Sequence, residues 1–149
     1  MTGSLQFSGI SIIGVVAATF VGQFISAMWF GPLFNKQWTK YCGWDVDQIK
    51  KYMKEGNRHT KAVWGSLVET LIAQIFYAIL LHNLQITSIV EAMVVGAIAW
   101  AGFMATVGLN EVLWHGMKIQ FYILNQSSYL VRTVVMGAVY SFIAYNLGW

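Results

Sequence analysis

Residues Ile10–Phe34, ISIIGVVAATFVGQFISAMWFGPLF, run without one charged side chain. A hydrocarbon core of about 30 Å needs roughly 20 helical residues to cross, so this stretch can span a bilayer with some tilt. It is too long for the core of a secretory signal. No basic segment precedes it and no small-residue cleavage site follows it, so a retained span is expected. Pro32, which lacks a backbone donor and clashes with the preceding turn, is expected to end the helix. Three more apolar runs follow. Residues 62–82 are interrupted by Glu69 and Gln74, residues 89–113 carry Glu91 and Glu111 near their ends, and residues 128–147 contain Arg132. In hydrocarbon every backbone group must be paired internally, so each run is a helix unless a barrel closes. The runs are too long and too uniformly apolar for barrel strands.

Composition points the same way. The chain has 149 residues, 57% of them hydrophobic and 10% charged. Soluble domains average about 25% charged residues, so polar side chains are too few here to cover a water-facing surface. The same numbers exclude intrinsic disorder, and the single cysteine, Cys42, excludes a disulfide scaffold. The expected fold is all-α: one polytopic membrane domain over residues 1–149, with spans near 10–34, 62–82, 89–113 and 128–147.

The charge layout predicts an orientation. Seven of the nine basic residues, Lys36, Lys40, Lys50, Lys51, Lys54, Arg58 and Lys61, lie between the first two spans, and Lys118 precedes the fourth. The N-terminus, residues 82–88 and the C-terminus carry no Lys or Arg. Lysine-rich short loops stay cytoplasmic, so both termini are expected on the non-cytoplasmic side of a bacterial inner membrane. Trp29, Trp38, Trp64 and Trp114 then fall near the inner interface and Trp149 near the outer one. Within the first loop, Asp45 and Gln48 form a capping box. Val46, Ile49, Tyr52 and Met53 share one helical face, and Gly56 is placed to end the helix. A short amphipathic helix over 46–55 is expected on the inner leaflet. No basic stripe with interleaved aromatics occurs elsewhere, so nucleic acid is not an expected partner.

The stretch Trp29-Phe30-Gly31-Pro32-Leu33-Phe34-Asn35-Lys36-Gln37-Trp38 resembles the aromatic-aromatic-Gly-Pro-Leu-Phe-Gly-Lys-x-Trp signature of a bacterial family of small four-span membrane proteins, known as domain of unknown function seventeen sixty-one. The likeness continues through Gly43 and the capped helix at Asp45, and through Phe121–Asn125 and Tyr129. Asn35 stands where the family usually has a second glycine, and Tyr122 interrupts the later stretch. The resemblance implies fold and topology and no activity. Physically, Trp29, Gly31, Pro32, Phe34, Lys36 and Trp38 read as a hinge and interface anchor, with Lys36 able to reach lipid phosphate.

Several residues invite a chemical reading. Gly14, Ala18, Gly22 and Ser26 recur every four residues, a strip of small side chains that lets helices approach closely, either between subunits or within one. Gly102, Thr106 and Asn110 form a second strip on the third span. Glu69 and Arg132 are placed roughly 10–12 Å inside the membrane at 1.5 Å per residue. Ionised groups at such depth pair or line a cavity, so the two are expected to face each other between spans two and four. The pair reads first as a structural brace and second as part of a relay with Gln74 and Tyr77. Glu111 and His115 share a helix face, and with His59 they make a weak candidate metal site. His82 is expected on the opposite side from His115, which argues against a haem clamp. Cys42 has no evident histidine partner, and no paired-acid, phosphate-loop or zinc motif occurs. No catalytic residue, resident metal or cofactor is expected. The expected role is a non-catalytic homo-oligomeric or accessory membrane subunit whose partners are the lipid bilayer and other membrane helices. The alternative is a small oligomeric channel or transporter with Glu69, Arg132, Gln74 and Asn110 along its path.

Overall fold

The computed structural model describes residues 6, 7 and 9–147, so Trp149 lies outside the described residues. It is helical, with no strand among the described residues. Six helices follow in order: α1 (Ile12–Leu33), α2 (Asn35–Cys42), α3 (Val46–Lys54), α4 (Arg58–Asn83), α5 (Ile89–His115) and α6 (Ile119–Asn146). Of these, α1, α4, α5 and α6 are long and apolar enough to cross a membrane. They alternate in direction, so Leu33, Arg58, His115 and Ile119 share one end of the bundle, the basic end.

The long helices begin and end by local chemistry. Ser11 caps α1 by accepting the Gly14 N–H at 2.9 Å, and Ser88 caps α5. Gly43, Gly56 and Gly116 take the left-handed conformation (φ +77°, +57° and +67°) that lets the chain leave α2, α3 and α5 without a Cβ clash. Asp45 and Gln48 close a capping box at the start of α3, as its sequence pattern predicts.

Packing centres on α6, which lies against α1 on one side and α5 on the other, while α4 packs on α1. The apolar core occupies the half away from the basic end: Val15 and Ala18, Tyr77, Ala78 and Leu81, Ala92, and Met136 and Tyr140. Two glycines let α5 and α6 meet around Tyr77. A Cβ on Gly137 would sit 2.9 Å from Tyr77 Cε1, and one on Gly96 would reach the Thr133 carbonyl at 3.2 Å. The Tyr77 hydroxyl, buried between them, donates to the Ala92 carbonyl. Toward the basic end the bundle opens: residues 58–65 of α4 and much of α5 beyond Ala99 are exposed, as expected of surfaces whose solvent is lipid.

Three features differ from the sequence-based expectation. Pro32 lies inside the last turn of α1, one residue before its end, and the turn that holds it is not α-helical. Residues Trp29–Leu33 form a π turn in which the Phe34 N–H reaches the Trp29 carbonyl at 2.9 Å. The widened turn absorbs the missing proline donor, and the chain breaks only at Phe34 (φ −125°). The first loop carries α2 as well as α3. And α6 begins at Ile119, well before its apolar run, because hydrogen-bonded backbone is as favourable in the headgroup region as in the core.

Candidate functional site

Because α6 starts early, Arg132 stands at its midpoint, deeper than the apolar run suggests. Gly22 and Thr70 hold the middle of α1 and α4 in the same way. Gly22 leaves room for the arginine stem, since a Cβ there would sit 3.3 Å from Arg132 Cγ. The guanidinium then reaches two other helices, α1 and α4. Its Nη2 donates to Glu69 Oε1 at 3.2 Å, and its Nη1 lies 3.5 Å from both Ser26 Oγ and Thr70 Oγ1. Tyr129, one turn earlier, presents its ring 4.9 Å from the guanidinium carbon. Behind these, Gln23 donates to Ser66 Oγ at 2.8 Å, and Thr70 donates to the Ser66 carbonyl at 2.7 Å. A polar network thus ties α1, α4 and α6 together in the middle of an apolar bundle.

The two charges are not equally enclosed. The Arg132 side chain is 6% exposed and that of Glu69 is 54% exposed. The carboxylate therefore meets its cation on one side and opens away from the protein on the other. At such depth an ionised group is expensive unless paired or hydrated.

Beside this network, between α4, α5 and α6, lies a cavity of about 370 Å³. Gln74, Arg132 and Thr133 supply its polar lining. Gln74 is fully buried, and neither its Nε2 nor its Oε1 has a hydrogen-bond partner among the described residues.

The remaining sequence candidates fall as follows. Gly14, Ala18, Gly22 and Ser26 face α6 within the protomer: Gly14 packs on the Tyr140 ring and Gly22 on Met136. By contrast Gly102, Thr106 and Asn110 are exposed, and nothing lies within 4 Å of where a Gly102 Cβ would be. Of the three residues of the expected polar path, Gln74 and Tyr77 both line the cavity, whereas Asn110 is exposed on α5 and is not part of its lining. In the Trp29–Trp38 stretch, the Trp29 indole donates to the Leu124 carbonyl at 3.2 Å, its ring packs on Phe34 at 4.6 Å, and Trp38 lies 6.3 Å from Phe121. Gly31 and Pro32 form the π turn, and Lys36 is exposed. The motif straps α1 to the basic end of α6. Glu111 and His115 meet at 3.0 Å, both exposed. No three His, Cys, Asp or Glu side chains gather in a metal-binding group among the described residues, so His59 does not join them. His82 and His115 sit at opposite ends of the bundle.

Sequence reasoning passed over the hydroxyl and amide partners Gln23, Ser66 and Thr70, and the glycine pair around Tyr77. Hydroxyls at single positions leave no periodic trace. Glycine within a long helix, costly by about 1 kcal/mol against alanine, is the signal that points to Gly96 and Gly137.

No curated protein and no solved structure matches the chain. A family model described as "Protein of unknown function (DUF1761)" matches residues 13–141; the chain, a helical protein with four potential membrane spans, belongs to that family.

Proposed function

We propose that the protein is a non-catalytic subunit of a bacterial inner membrane assembly, associating laterally with further copies of itself. The observation that carries this reading is the half-exposed Glu69 carboxylate at the depth of the hydrocarbon core. Polar side chains of a neighbouring subunit would complete its pairing at less cost than exposing it to lipid. The exposed strip Gly102–Thr106–Asn110 supports it: small residues let helix backbones approach, and this strip has no partner within the protomer, whereas Gly14–Ser26 does. In this reading the lysine-rich end is cytoplasmic, both termini lie outside, and α3 rests on the inner leaflet with Ile49 and Met53 toward the protein.

The channel or transporter reading has less support. Away from the basic end, Leu81, Ala92, Met136 and Tyr140 fill much of the interior, and the buried hydroxyls of Thr19 and Ser141 there are tied to the Val15 and Thr87 carbonyls. Native mass spectrometry of the full chain from mild detergent tests the assembly. Oligomers are expected, with Gly102→Leu and Glu69→Leu each shifting them toward monomer. A wild-type protein that is monomeric and without a co-purifying membrane partner contradicts the reading.

A further inference from the structure

The cavity between α4, α5 and α6 is mostly apolar, and of its polar lining Arg132 and Thr133 already have hydrogen-bond partners. Phe76, Leu80, Phe103 and Met104 line its apolar part, and Phe76 and Phe103 are themselves exposed on the outer surface. Contact between α4 and α5 is sparse, so the cavity opens sideways, toward the lipid. At about 370 Å³ it falls within the range of small-molecule sites.

The polar group left without a partner is Gln74. Among the described residues it is the one buried side chain with both ends of an amide left without a partner. A buried amide without hydrogen bonds is costly, more so in hydrocarbon than near water. Leucine would fill the same volume without that cost, so the amide's presence asks for a partner that the protein does not supply. The partner must accept from Nε2 and donate to Oε1. The charge balance is already closed nearby, since Arg132 is paired with Glu69. A neutral head therefore fits better than an anion.

We propose that this cavity is a lateral binding site for a single-chain membrane amphiphile whose head both donates and accepts a hydrogen bond, with a protonated fatty acid as the simplest case. The head pairs with the Gln74 amide, and the chain lies against Phe76, Leu80, Phe103 and Met104, leaving between α4 and α5. Desolvation at this depth disfavours the charged form of a carboxyl group, and the one cation lining the cavity, Arg132, is already paired with Glu69. The site does not depend on the self-association proposed above.

The test uses the full chain in phosphatidylcholine nanodiscs and a diazirine-tailed hexadecanoic acid, with cross-linked peptides mapped by mass spectrometry. Adducts are expected to concentrate on Phe76, Leu80, Phe103 and Met104. Unlabelled hexadecanoic acid and its primary amide, which both donate and accept, should compete. The methyl ester, which only accepts, should not. Gln74→Leu removes two hydrogen bonds and should cut labelling about tenfold or more while leaving the melting temperature equal or higher. Ala99→Phe, which fills the cavity from α5, should cut it as well. Adducts spread evenly over the lipid-facing sides of all four long helices would overturn the proposal. So would a methyl ester that competes as well as the acid, or labelling untouched by Gln74→Leu, since either would leave water or bulk lipid as the occupant. The competition arms read the wild-type protein and do not depend on how any variant folds.

Discussion

Arg132 is the residue around which the interior is arranged. A cation in the middle of a long apolar helix is tolerated because Glu69, Ser26, Thr70 and the Tyr129 ring surround it. Removing one member of a buried ion pair typically costs about 3–5 kcal/mol because the other charge is stranded. Arg132, only 6% exposed, would keep just Ser26, Thr70 and the Tyr129 ring as partners, so Glu69→Leu is expected to destabilise by about 3 kcal/mol. The double variant Glu69→Leu/Arg132→Met should recover most of the loss, since no charge then remains to be solvated. Reversible unfolding in mixed micelles measures both. A double variant that loses as much as the single variants Glu69→Leu and Arg132→Met combined would show that the two side chains act separately. The encounter of Glu69 with Arg132 is legible in sequence, because few charges fall deep inside the apolar runs and opposite charges in hydrocarbon seek each other. Ser26 and Thr70 are not legible as partners, because serine and threonine occur at many helix positions and back-bond to their own helix in most of them.

At the scale of elements, close approach is bought with glycine. The contact of α5 and α6 around Tyr77 leaves no room for a Cβ at Gly137. Overpacking of a tight site costs about 1–3 kcal/mol, so Gly137→Ala should lower stability by that amount. Tyr77→Leu, which shortens the obstructing side chain, should relieve part of the loss in the same background. A double-mutant cycle read by thermal unfolding checks it, and strictly additive losses would rule the contact out as the cause. The Trp29–Trp38 stretch works by a different device, a π turn and two aromatic contacts that hold the break between α1 and α2 against α6. Trp29→Phe keeps the ring but loses the bond to the Leu124 carbonyl, for an expected cost of about 1 kcal/mol. The four long helices are legible because charge-free runs of that length have few other homes. Their ends are less so: α4 and α6 run on into polar sequence, where helical hydrogen bonding continues but hydropathy gives no sign of it. The short α2 escapes notice because eight residues with two lysines carry little apolar signal.

For the whole molecule, the two halves of the bundle have different tasks. Away from the basic end, small and aromatic side chains interlock into a core. From the middle toward the basic end a polar network replaces apolar packing, and at mid-height, beside Gln74, a cavity opens between α4, α5 and α6. A cavity of this kind cannot be read from one sequence, because it depends on how far two helices separate and not on what either carries. The account as a whole rests on the four long helices crossing a bilayer, with the lysine-rich end inside. The most direct measurement is maleimide labelling of three single-cysteine proteins in expressing cells. One carries native Cys42, the last residue of α2. The other two, in a Cys42→Ser background, carry Thr87→Cys in the loop between α4 and α5, and Ile98→Cys on the exposed middle of α5. With a membrane-impermeant reagent, the Thr87→Cys protein is expected to label in intact cells, Cys42 only after permeabilisation, and the Ile98→Cys protein in neither case. Ready labelling at position 98, or labelling of positions 42 and 87 from the same side, would contradict the account.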